Sequence, residues 1–138
     1  MGEIFEYKST VTVGDTNLLQ NVYFSNYFKL QGIAREIWFH ESIDDGFSSF
    51  SNGLLVVTRS AECSYYKDFF LTDKILVKLQ VLEMGKASVD LLFSFYSEKT
   101  MELHAVGKQK LVFVDNNHKI CRMPHEFKVK ASKFLIEN

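Results

Sequence analysis

The feature that most limits how this chain can fold is its second half, which reads as strand almost without interruption from residue 54 to residue 115. Candidate strands cover about 54–66, 73–83, 87–98 and 101–115. Turn-like pieces at Glu83-Met84-Gly85-Lys86 and Ser97-Glu98-Lys99-Thr100 are short enough for hairpins. Proline cannot donate to a strand ladder, and this chain of 138 residues has only one. Its 13 Phe suit an aromatic-rich core or pocket.

The first half has a different rhythm. Residues 3–13 alternate, with Phe5, Tyr7, Val11 and Val13 on one parity, the pattern of a half-buried strand. GDTNLLQN is a turn-rich loop. From about Val22 to Glu41 the period lengthens, and Leu30, Ile33, Ala34 and Ile37 recur at helical spacing. DDGFSSFSNG reads as a loop and Asp115-Asn116-Asn117-His118 as a turn, while residues 125–136 fit a short strand or a short helix. One strand, one long helix and a run of antiparallel strands predict an α+β domain over residues 1–138. A five- or six-stranded sheet would wrap round a single helix, the one element available to cover its face. The remaining face and edges predict assembly with further copies.

Composition narrows the function. Hydrophobic residues are 46% and charged residues 24%, which argues against disorder. Apolar runs fall far short of the roughly 20 residues of a spanning helix, so no membrane association is expected. The N-terminus has no basic-then-apolar stretch of a secretory signal. A net charge of −1, with Lys and Arg dispersed, offers no footprint for nucleic acid. Cys63 and Cys121 are too few and too far apart for a disulfide-stapled domain, so a cytoplasmic location is expected. No two of the four His share a metal-ligand spacing.

Residues 15–38, DTNLLQNVYFSNYFKLQGIAREIW, resemble the 4-hydroxybenzoyl-CoA thioesterase-like branch of the hotdog superfamily. The matching positions are Val22, Tyr23, Asn26, Tyr27, Ala34, Arg35 and Glu36. LLVVTRSAECSYYKDFFLTDKILVKLQV looks like that family's second and third strands, and HAVGKQKLVFVDNNHKICRMP like its last long strand with a closing Pro124. The family's catalytic Asp falls on Asn17, and the usual Gly of that loop is Gln20. Asn at this position is similar to the thioesterases of enediyne polyketide biosynthesis. That resemblance implies Asn17, Tyr27 and Arg35 as catalytic residues and a long polyene chain on a polyketide synthase carrier domain as substrate. It also implies a homotetramer built from dimers. Water is the second substrate, so no cofactor is required.

The chemistry follows from the residue types. A helix starting near Tyr23 presents free backbone N–H groups and the positive end of its dipole, so the amides of Tyr23 and Phe24 are candidates to polarise a thioester carbonyl. Tyr27, Gln31 and Arg35 lie at i, i+4 and i+8, one polar ridge on a helix expected to be buried. Arg35 keeps its charge and can hold a water, a carboxylate or a developing anion. Asn17 has no useful basicity and can only orient. Gln31 and Asn21 complete the candidate set as substrate-binding residues. Competing readings stand beside these. Asn17 fits a turn or cap, Tyr27 a core aromatic, Arg35 an ion pair with Glu36 or with an acid on a partner subunit, and Gln31 a satisfier of backbone groups. Glu36 or Asp15 could supply a carboxylate, Cys63 fits a small strand hydrophobe, and His104 fits the sheet core. The rival functions are an acyl- or aryl-CoA thioesterase of primary metabolism and a non-hydrolytic acyl-binding protein.

Overall fold

A computed structural model of the chain describes residues 2–43 and 55–137. Strand β1 (Phe5–Thr10) is followed by a 3-10 turn (Val13–Asp15) and helix α1 (Ser25–Trp38), which runs on into a π turn (Phe39–Ile43). Then come β2 (Leu55–Tyr65), β3 (Lys74–Met84), β4 (Ser88–Ser97) and β5 (Leu103–Val114). Helix α2 (His125–Ala131) and a 3-10 turn (Ser132–Phe134) end the chain. The described strands form one antiparallel sheet of five in the order β1-β3-β4-β5-β2. This is the α+β arrangement expected from the sequence. The DDGFSSFSNG loop lies outside the described residues.

Alternation explains which face is covered. Val77, Leu79 and Val81 of β3 stand opposite Phe95, Phe93 and Leu91 of β4, and these six, with Ile75 and Val89, are essentially inaccessible to water. Each such side chain contributes about 1.5–3 kcal/mol of burial. Helix α1 lies over this face, with Tyr27, Gln31, Ala34 and Trp38 buried. The first strand is shorter than the alternation suggests. Val11 is buried beyond its end, but Val13 belongs to the 3-10 turn and is 75% exposed.

A single helix does not cover the whole face. The C-terminal segment, open between strand and helix in sequence, is helical, and it brings Phe127 and Phe134 against Trp38 at 6.3 and 5.6 Å between ring centroids. Phe127 also meets Phe113 of β5 edge-on at 4.8 Å. The far edge is β2, whose outer rim has no strand partner among the described residues. No described helix is long and apolar enough to cross a membrane.

Candidate functional site

The amino end of α1 is held by its preceding loop. The Asp15 carbonyl accepts both the Tyr23 N–H (2.9 Å) and the Asn26 side-chain amide (2.8 Å). The Val22 N–H donates to the Phe69 carbonyl, and the Leu71 N–H to that of Gln20, tying the loop to the segment after β2. Gln20 has φ +65°, the left-handed region that favours glycine, which accounts for the Gly of the related loops. The Asp15 carboxylate is bound by the Thr12 backbone and hydroxyl. It closes a turn instead of standing free as a base.

Two of the candidate amides therefore separate. Tyr23 N–H is committed to Asp15 and cannot serve a carbonyl, contrary to the sequence expectation. Phe24 N–H has no hydrogen-bond partner among the described residues, and the helix start carries no side-chain cap. In the first turn the Asn26 and Tyr27 N–H groups go to the Tyr23 and Phe24 carbonyls, which leaves the Phe24 amide available for an oxyanion. Leu18, Leu19, Tyr23 and Phe24 are exposed along this loop and helix start, the Tyr23 and Phe24 rings lie 4.7 Å apart, and exposed Phe70 is bridged to Asn21 of the loop. Asn17 stands in the same loop, where its Oδ1 accepts the Leu19 N–H (2.9 Å) as an Asx turn. Its side-chain NH2 makes no bond to described residues. Asn21, the other loop amide, has its side-chain oxygen buried without a partner.

Tyr27 sits one turn into the helix, only 2% exposed, edge-on to Tyr65 at 4.8 Å and to Phe95 at 5.5 Å. Burial above all, with help from Asp68, raises its pKa well beyond the ordinary tyrosine value, though hydrogen bonding with the Phe69 backbone opposes this. Its hydroxyl is a neutral group at any working pH and packs as a core aromatic. Tyr65 donates from its hydroxyl to the Phe24 carbonyl (3.2 Å), linking β2 to the helix start. Burial pushes the Tyr65 hydroxyl up to about 12. It also raises the Cys63 thiol, which makes a poor nucleophile. His104 stacks on Phe69 at 4.2 Å, in the sheet as anticipated.

Further along α1 the polar ridge turns toward the sheet. Arg35 donates from Nη1 to Thr58 Oγ1 (2.7 Å) and to Gln109 Oε1 (2.8 Å). Gln109 passes the chain to Gln31, whose Oε1 accepts its Nε2 at 2.9 Å, and Gln31 donates to the Glu62 carbonyl at 3.3 Å. The competing ion pair with Glu36 does not form, and the described residues offer Arg35 only neutral hydrogen-bond acceptors. Burial lowers its pKa, and the Glu36 charge partly offsets this. Gln109 is the functional candidate that sequence reasoning missed. Its signal is parity: it shares the inward face of β5 with Ala105, Gly107, Leu111 and Phe113, an amide among small and apolar side chains.

Gly107 makes room for this chain of amides. A Cβ there would stand 2.0 Å from Gln31 Nε2 and 3.3 Å from the Glu62 carbonyl. Gln31 is fully buried and bonded at both ends, so it cannot swing aside without breaking those bonds. Gly107→Ala is expected to cost about 1–3 kcal/mol of stability, read as a lower urea midpoint at an unchanged slope.

A cleft of about 830 Å³ opens between the segments around Lys67, Asp68, Phe70, Asp73, Glu102 and His104. None of Asn17, Tyr27, Gln31 and Arg35 lines it. No group of three His, Cys, Asp or Glu suited to a metal occurs among the described residues.

Comparison with known proteins agrees with this architecture. The family model described as the thioesterase-like superfamily matches residues 11–131. Among solved structures, the dynemicin thioesterase, studied for induced-fit and allosteric effects upon polyene binding, superposes with a TM-score of 0.92 at 20% identity, covering 99% of this chain and 100% of its own. A 1,4-dihydroxy-2-naphthoyl-CoA thioesterase from Synechocystis gives 0.85 at 16% identity, covering 94% and 96%. A hypothetical protein from Aquifex aeolicus gives 0.85 at 26%, covering 92% and 98%. No curated protein sequence matches the chain.

Proposed function

Because the chain belongs to the thioesterase-like superfamily and has its hotdog fold, we propose that it hydrolyses an acyl thioester, releasing a long polyene- or polyketide-type chain from an acyl carrier domain or coenzyme A. The observation that carries the reading is the open Phe24 amide at the uncapped start of α1, behind a loop that exposes Leu18 and Leu19. A carbonyl oxygen bound there gains a donor when it becomes an oxyanion, and exposed apolar side chains suit a hydrocarbon chain. Water, oriented by the Asn17 amide, adds to the carbonyl carbon. The C–S bond then breaks, giving the carboxylic acid and the thiol. Asn17 accepts no proton in this scheme, so turnover is slow.

Arg35 joins this site from a second copy. Phe24 and Arg35 are eleven residues apart on one helix, about 16 Å, which is beyond common reach of one carbonyl. Along β2, however, Tyr65 touches the helix start and Thr58 touches Arg35. Antiparallel pairing of β2 with the β2 of another chain brings the Thr58 end of one strand to the Tyr65 end of the other. Each guanidinium then approaches its partner's loop. The open β2 rim supports such a dimer, and two dimers complete a homotetramer. Free Cys63 and Cys121 support a location in the reducing cytoplasm.

Thiol release measured against long-chain, short-chain and aromatic acyl groups, each on coenzyme A and on a carrier domain, tests the reading. The expected result is hydrolysis, fastest for long chains. Preference for aromatic CoA esters would favour the kind of substrate named for the Synechocystis neighbour. Binding with no thiol release above background would overturn hydrolysis altogether.

A further inference from the structure

We infer that Gln109 is the positioning residue for Arg35, holding the guanidinium by a neutral acceptor so that its positive charge stays uncompensated for an anion in the site. The inference rests on the role given to Arg35 above and adds the residue that makes that role possible.

The geometry fixes the direction of every bond in the chain. Arginine only donates, so Gln109 must turn its oxygen to Nη1, as it does at 2.8 Å. Its NH2 must then face Gln31, whose oxygen accepts at 2.9 Å and whose own NH2 is left for the Glu62 carbonyl at 3.3 Å. Gln109 is 5% exposed and Gln31 is 0% exposed, so neither amide can exchange its partner for bulk water. Gly107 keeps the path open.

Both hydrogens of Arg35 Nη1 are spent on Thr58 and Gln109, while Nε and Nη2 have no partner among the described residues. One nitrogen is clamped, and the other edge of the fork is bonded by none of the described residues. A half-buried cation usually sits against a carboxylate, because desolvation is costly without one. Among the described residues no acidic side chain bonds to it, and the neutral oxygens of Gln109 and Thr58 stand where an acid would neutralise it. That arrangement suits a group whose negative charge arrives with the ligand or develops during reaction.

The test compares Gln109→Met, Gln109→Glu and Arg35→Ala, singly and combined, by kcat and KM on the preferred thioester with melting temperature alongside. Gln109→Met is expected to lower kcat about 10²-fold while leaving KM within a small factor, as for a displaced reacting group. Gln109→Glu keeps an acceptor for Nη1 and places a carboxylate on the guanidinium, but gives up the donor to Gln31, so its melting temperature is expected to fall. It is expected to lose kcat even well below that melting temperature, where a purely structural role predicts a loss of stability alone. Neither change is expected to cost more in the Arg35→Ala background. Wild-type kcat for Gln109→Glu, or full additivity with Arg35→Ala, overturns the inference while leaving hydrolysis intact. Wild-type kcat for Arg35→Ala overturns the inference together with the role given to Arg35.

Discussion

Replacing Arg35 by alanine is expected to lower kcat for thioester hydrolysis by about 10²–10³-fold, the size of effect seen when one donor to a developing anion is removed. The change leaves Thr58 and Gln109 without their donor but strips no residue from the apolar core. Melting temperature should therefore move far less than rate. Lysine at position 35 is not expected to restore activity. A single ammonium cannot bond Thr58 and Gln109 and still present a planar fork to a ligand. Asn17→Asp is the companion measurement. A carboxylate can still accept the Leu19 amide and keep the turn, while adding the base that the natural side chain lacks. If rates on the best thioester were unchanged in both variants, the assigned roles would be wrong.

Mixing two disabled proteins gives the second large effect. Asn17→Ala and Arg35→Ala are each expected to be nearly inactive as pure assemblies. Co-expressed, they form mixed dimers in which one site draws its Asn from one chain and its Arg from the other. Random assembly makes half the dimers mixed, with one intact site of two, so about a quarter of wild-type activity returns. The mixture is a sharp discriminator. A site built within one chain gains nothing from mixing, because no chain in the mixture carries both residues. Activity of the mixture no higher than its components would remove the shared site, and with it the assembly through β2.

The helical ridge of Tyr27, Gln31 and Arg35 was legible because its spacing is local. All three side chains turn inward or toward the sheet, as a polar stripe on a buried helix predicts. The strands were legible for the same reason, with ends displaced by a residue or two where ladder pairing stops. Gln109 was not, because its meaning depends on Gln31, a contact across 78 positions that no local pattern encodes. The choice between the Tyr23 and Phe24 amides was equally hidden. It turns on a loop carbonyl, that of Asp15, which curls back to take one of them. The terminal helix escaped because seven residues carry too little periodicity to separate helix from strand.

The missing cap of α1 sets two demands against each other. A serine or aspartate at position 24 would stabilise the helix in the ordinary way, by about 0.5–2 kcal/mol. Its oxygen would also compete for the dipole end on which a bound carbonyl depends. Selection for a sturdier fold would thus erode the reaction at this very residue, so an improver of the enzyme should seek robustness elsewhere and leave Phe24 bare.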